Sequence, residues 1–252
     1  MTPRVSRTLL GVTRLAAVCS VLCATTALAQ GVAPAAPNRV ADLPLVELRA
    51  HGPAGAHSTV LAVILSGDGG WADIDRQIGQ TLAERGIDVV GFDDRAYLRG
   101  GRRDAEGTAR DVMRAATEYL SRWNDQQLAL IGYSRGANFA PFVANRMPAP
   151  LRARLVLLAM LGLQERASFT YRFSDLWATR SRASDTPILP ELERLRGANM
   201  LCVYGVDEDE SLCRGIDSTL VHPVARPGKH HFDGDYRALT SIIVDRLEHA
   251  RR

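Results

Sequence analysis

Ser134 stands at the centre of Gly132-Tyr133-Ser134-Arg135-Gly136, a G-x-S-x-G pentapeptide. A serine hydroxyl is a poor nucleophile until something exposes it and something takes its proton. The glycines two residues to either side serve the first need, because a sharp strand-to-helix turn pushes the hydroxyl outward and leaves no room there for bulkier side chains. The pentapeptide alone is weak evidence. Its place between an apolar β-type run and a run of helical period gives it weight against the bland alternative, a glycine-rich turn with no chemistry.

The second need is a base, so the six histidines must be sorted. His51 and His57 precede the first long apolar run, His222 falls inside an expected strand and His249 is near the C-terminus; each reads as structural or solvated. Gly228-Lys229-His230-His231-Phe232 is different, a loop late in the chain where a Ser…acid…His order puts its base. His230, nearest the glycine turn, is the choice and His231 the alternative. An adjacent histidine pair also suggests a metal, but no third ligand of suitable spacing accompanies it, and neither metal nor other cofactor is expected. The acid that orients the base should come from Gly205-Val206-Asp207-Glu208-Asp209-Glu210. Four consecutive carboxylates normally make a solvated loop, and for most of these that suffices. One of them must hydrogen-bond His230 and stabilise its imidazolium. Glu208, three residues beyond the strand-ending glycine, is the choice and Asp207 the rival. Two backbone amides are needed for the developing oxyanion: that of Arg135, and that of Asp68, with Gly69 next, in Ser66-Gly67-Asp68-Gly69-Gly70-Trp71. Asp68, Gly69, Trp71 and Tyr133 are expected to line the substrate site. The Asp68 carboxylate reads either as a cap for a helix beginning near Asp73 or as the partner of a cationic group on the substrate.

These residues must be carried by a scaffold, and the hydrophobic pattern describes one. Short apolar runs at 59–66, 88–92, 127–133, 154–161, 200–205 and 219–225 alternate with runs of helical period at 73–85, 105–123, 136–147 and 236–250. Strands alternating with crossover helices predict an α/β fold with a doubly wound, mostly parallel sheet, and chemistry then collects at the carboxyl ends of the strands. The irregular stretch 162–190 sits where a lid would be inserted. Phe169, Tyr171, Phe173 and Trp177 alternate there with Arg172 and Arg180, which suits either a membrane-facing lid or aromatics closing the core under a long loop.

The first 29 residues read as an export signal: Arg4, Arg7 and Arg14, an apolar run of about 12 residues, too short to span a bilayer, then Ala27-Leu28-Ala29 as cleavage site. Residues 30–42 are expected to be a disordered tether and 43–252 one domain. Cys19 and Cys23 leave with the signal, so Cys202 and Cys213 remain as a pair in an oxidising compartment and are expected to be bridged. Taking three arginines from the 31 basic residues leaves 28 against 28 acidic ones, so nothing global points to nucleic acid or another polyanion.

Four stretches together carry a resemblance: SGDGGWADIDRQIG at 66–79, GYSRGAN at 132–138, VYGVDEDESLC at 203–213 and PGKHHFDGDY at 227–236. They resemble the bacterial virulence protein family of VirJ and the C-terminal half of AcvB, over most of the mature chain. The resemblance implies an α/β-hydrolase fold, export to the periplasm, and hydrolysis of aminoacyl-phosphatidylglycerol of the lysyl or alanyl type, with Ser134, an acid in the Glu208 loop and His230 as the site. It also implies contact with a type IV secretion system as a non-catalytic alternative, beside a generic esterase acting on soluble substrates. The expected partner is an aminoacylated phospholipid at the membrane surface, and the expected state is a monomer. Residues 93–99, Asp93-Asp94-Arg95-Ala96-Tyr97-Leu98-Arg99, are more charged than the family pattern leads one to expect.

Overall fold

The computed structural model describes residues 40–52, 58–101, 103–170 and 185–249. In chain order its elements are β1 (Leu45–Leu48), β2 (Val60–Leu65), α1 (Asp73–Glu84), β3 (Asp88–Phe92), α2 (Asp94–Arg99), α3 (Ala105–Arg122), β4 (Gln127–Tyr133), α4 (Arg135–Arg146), α5 (Ala149–Arg152), β5 (Leu155–Leu161), β6 (Arg166–Ala167), β7 (Thr186–Pro187), α6 (Leu189–Arg194), β8 (Met200–Gly205), β9 (His222–Arg226) and α7 (Tyr236–His249). Seven strands form the main sheet in the order β1-β3-β2-β4-β5-β8-β9. All neighbours are parallel except β1, which runs antiparallel to β3 at the edge.

The apolar runs explain why the centre of this sheet forms. Every residue of β2 is buried, because helices cover both of its faces. Leu61, Val63 and Leu65 turn into one hydrophobic layer with α3 and α4, while Val60, Ala62 and Ile64 turn into the other with α1 and α7. From β2 the chain moves outward to β3 and then returns to place β4 on the other side of β2. That reversal is a topological switch point, and it opens a crevice between the loops that follow β2 and β4.

Besides the unexpected edge strand β1, the structure differs from the sequence expectation in four places. The last strand begins at His222 and not at residue 219, because Asp217 accepts hydrogen bonds from both the backbone and the hydroxyl of Thr219, each at 2.8 Å, and closes a turn there. The charged stretch after β3 is α2, whose N-cap Asp93 accepts from the Ala96 amide at 2.9 Å. Val40, placed in the tether by its surroundings, is 2% exposed within the core, and Asp42 pairs with Arg114 at 2.7 Å, so the fold starts before residue 43. Within the insertion, β6 and β7 pair antiparallel, and Phe169 stacks on Phe139 with ring centres 4.7 Å apart and meets Phe142 edge-on. Phe169 therefore closes the core. The expected signal and cleavage site, residues 30–39 and the insertion's Tyr171, Arg172, Phe173, Trp177 and Arg180 lie outside the described residues.

Candidate active site

Ser134 forms the joint between β4 and α4, at φ 54° and ψ −115°. Positive φ is costly for a residue with a side chain, of order 1–3 kcal/mol, and persists only where the surroundings impose it. Here two close approaches impose it. A Cβ on Gly132 would run into the Gly136 carbonyl, and one on Gly136 would run into the carbonyl of Leu65 at the end of β2. The Ser134 amide donates to Leu161 O at 2.8 Å and its carbonyl accepts from the Asn138 amide at 3.1 Å, so its backbone is held from both sides. Ser134 is the N-cap of α4, a position where serine normally satisfies the helix's first amides, yet its hydroxyl makes no capping bond. The hydroxyl is left for other work.

His230 lies on the loop after β9, and its ring lies over Gly162, the residue that follows Leu161. A Cβ on Gly162 would stand 2.7 Å from His230 Cε1. The serine backbone and the imidazole thus converge on the same end of β5. His230 Nδ1 is 2.6 Å from Glu208 Oε1. A carboxylate can only accept, so Nδ1 carries the proton, which in the neutral ring leaves on Nε2 the lone pair that a base needs. Of the four consecutive acids, Asp207, Asp209 and Glu210 are exposed, whereas the Glu208 side chain is only 11% exposed. The solvated-loop reading describes three of the four. Gly205 permits this arrangement, since a Cβ there would collide with the carbonyls of Gly228 and Lys229 in the histidine loop.

His231 is turned the other way. Its Nδ1 is 3.0 Å from the Tyr133 hydroxyl, which also reaches the His230 carbonyl at 3.4 Å. Tyr133, expected to line the substrate site, is 5% exposed and supports the histidine loop. Trp71, also expected at the substrate, packs its ring against Gly91 of β3 and Gly79 of α1, and so braces the loop after β2. Gly69 is exposed. The Asp68 carboxylate neither caps α1, where Asp75 accepts from the Ala72 amide, nor stands alone for a substrate cation: Arg135 Nε donates to its Oδ1. Cys202 of β8 and Cys213, in a 3-10 turn at Leu212–Arg214, are joined by a disulfide that brackets the Glu208 loop, as the sequence predicted.

The loops after β2, β4, β5, β8 and β9 thus bring together an uncapped serine hydroxyl, an oriented imidazole, its carboxylate and the first-turn amide of α4, where the helix itself supplies no acceptor. This is the equipment of nucleophilic acyl transfer. The family model of the bacterial virulence protein VirJ matches residues 59–251. The chain belongs to the VirJ family. Among solved structures this VirJ-family chain is similar to a proline iminopeptidase of Mycobacterium smegmatis, with TM-score 0.58, 12% identity, and coverage of 82% of this chain and 94% of the other. A lipase in its open form gives TM-score 0.58 and 16% identity over 82% and 99% of the two chains. XC6422 of Xanthomonas campestris, described as an α/β serine hydrolase without a lid, gives 0.51 and 16% over 82% and 86%. At these identities the likeness establishes the α/β-hydrolase fold. A comparison with curated proteins finds no match in sequence.

Electrostatics add what the motifs of the VirJ-family chain did not signal. Burial pushes the Tyr133 phenol far above its ordinary range, so it stays a neutral hydrogen-bonding group. Burial, and then the neighbouring His230, lower the His231 pKa, which keeps that ring neutral too. Near the loop after β2 lie two buried acids, Asp75 and Asp94. Burial raises Asp75 to about 7 and lifts Asp94 well above the carboxylate range, against the pull of Arg135. Both Asp94 carboxyl oxygens lack a hydrogen-bond partner among the described residues. The sequence held a cue to these acids in Asp75 and Asp94 each standing in the first turn of a helix, but helix N-termini attract acids for capping alone.

Proposed function

We propose that this chain is a periplasmic serine esterase that cleaves the aminoacyl ester of aminoacyl-phosphatidylglycerol. The observation that carries the hydrolase reading is the 2.6 Å contact of Glu208 with His230 Nδ1 beside a strained, uncapped Ser134. In the mechanism His230 Nε2 takes the Ser134 proton as Oγ attacks the ester carbonyl. The amides of Arg135 and Asp68 receive the oxyanion. His230 then returns the proton to the departing glycerol oxygen, leaving an aminoacyl-serine. Water, deprotonated by the same imidazole, releases the amino acid and restores Ser134. No redox partner or metal is called for by these steps. The lipid substrate and the periplasmic setting are supported by the family's character and by the export-type N-terminus.

The test is lipid extraction from cells making lysyl- or alanyl-phosphatidylglycerol, with wild type or Ser134→Ala. Wild type should deplete the aminoacyl lipid and the variant should not. Unchanged lipid together with cleavage of simple esters would leave a generic esterase. A fluorophosphonate that labels neither protein would favour the non-catalytic secretion partner.

A further inference from the structure

Arg135 is in an expensive position. It is the first residue of α4, where the helix dipole disfavours a cation, and it is 6% exposed. Buried charges of this kind seldom add net stability, because desolvation offsets the attraction to the partner. The guanidinium is nevertheless engaged through two of its nitrogens. Nε donates to Asp68 Oδ1, while Nη1 donates to the carbonyls of Ser168 at 3.1 Å and Thr170 at 3.4 Å. One rigid fork therefore ties the loop after β2 to the segment after β5, across the nucleophile between them.

Asp68 needs such a tie. Its neighbours are held on the α2 side: Ser66 Oγ accepts from the Asp94 amide at 3.0 Å and donates to Gly67 O at 3.4 Å, Gly70 N closes back on Gly67 O at 3.0 Å, and Arg95 Nη1 donates to Gly69 O at 3.4 Å. These bonds set the Gly67–Asp68 peptide plane, which carries the Asp68 N–H, but they anchor the loop to α2 and to itself, not to α4. The Arg135 fork supplies the contact with α4, and so sets where the Asp68 amide stands relative to Ser134.

We infer that Arg135 is a positioning residue, whose guanidinium holds the Asp68 loop so that the Asp68 amide points at the site where the oxyanion forms. The inference rests on the acyl-transfer reading above. The substitution leaves the proposed Arg135 amide donor in place, because only the side chain changes. Lysine cannot reproduce the tie, since a single ammonium lacks the fork that spans two loops.

The test compares Arg135→Met, Arg135→Lys and Asp68→Asn with wild type, using p-nitrophenyl acetate and amide hydrogen exchange over 66–71. Arg135→Met and Asp68→Asn should each lower kcat by roughly 10- to 100-fold, a size typical of a misaligned oxyanion donor, with KM within about twofold. Arg135→Lys should fall between them and wild type, and the double variant R135M/D68N should be no worse than either single one. Exchange over 66–71 should quicken at least about tenfold in Arg135→Met while α4 stays protected. An unchanged kcat in folded Arg135→Met, a rise in KM alone, or strictly additive losses would overturn the inference. If wild type cleaves no ester at all, the acyl-transfer reading fails, and exchange alone still decides: unchanged protection over 66–71 refutes the tie.

Discussion

Glu208 differs from the three acids around it in its burial and in its contact with His230, and the second difference can be measured. Glu208→Gln should cost on the order of 10²–10⁴-fold in kcat, because the amide can present its N–H to the ring and favour the wrong tautomer. Asp207→Asn should change kcat less than about twofold, since Asp207 is exposed and its backbone amide, not its carboxylate, bonds Gly228 O. Equal losses in the two variants would remove Glu208 from the mechanism. A separate residue-scale effect concerns Asp75, whose carboxyl burial raises from the ordinary aspartate range to about 7. The folded state holds that proton more tightly than the unfolded chain, so this stabilisation is complete below about pH 4 and is lost as pH rises through about 7. The loss is at most about 4 kcal/mol at 1.4 kcal/mol per unit. Asp75→Asn keeps an acceptor for the Ala72 amide and cannot ionise. Urea midpoints measured from pH 5 to 8 should therefore fall less steeply with pH in Asp75→Asn than in wild type, and parallel curves would show that the Asp75 proton is not linked to folding.

At the scale of elements, the disulfide and Gly162 do for the acid and the base what the glycines around Ser134 do for the nucleophile. Cys202 sits inside buried β8, and Cys213 lies just beyond Ser211 and Leu212, both of which bond the Leu163 carbonyl. The closed loop is short, so the bridge should contribute about 3 kcal/mol on the chain-entropy model. A Cys202→Ala/Cys213→Ala variant should unfold at correspondingly lower urea and lose activity before it unfolds, because Glu208 rides on the same loop. Activity that survives unchanged up to the unfolding midpoint would mean that the loop holds itself. The strands and helices next to these features were legible in the sequence because their apolar period survives burial on two faces, as in β2 and β4. The short edge strand β1 was not, since four residues with one exposed position carry too little period, and α2 was hidden by charges that turn out to be a cap, a buried acid and a surface. Glu208 could be chosen by its offset from Gly205, but the Asp68–Arg135 tie could not, because nothing in spacing reveals which of many arginines a carboxylate will meet.

At the scale of the whole molecule, positions as distant in sequence as Asp68 and His230 share one crevice because the order of the parallel strands puts the carboxyl ends of β2, β4, β5, β8 and β9 on one side of the sheet. That much follows from alternating strands and helices, whereas where the fold begins does not, since Val40 is flanked by alanine, proline and polar residues that read as tether. In the structure Val40 packs beside Leu43 and Leu45 in the layer that covers β3, and its carbonyl accepts from the Leu43 amide at 3.0 Å. The exposed pair of Asp42 with Arg114 adds little to this in water. Burying one valine is worth about 1.5–2 kcal/mol. For a chain of this size that corresponds to roughly 3–8 °C in melting temperature. A chain starting at Val40 should melt with the one starting at Gln30, and a chain starting at Pro44 should melt lower by that amount while keeping its kcat at temperatures where it is folded. Identical melting of the two shorter chains would place the edge of the fold at Pro44 and leave Val40 without a part in the core.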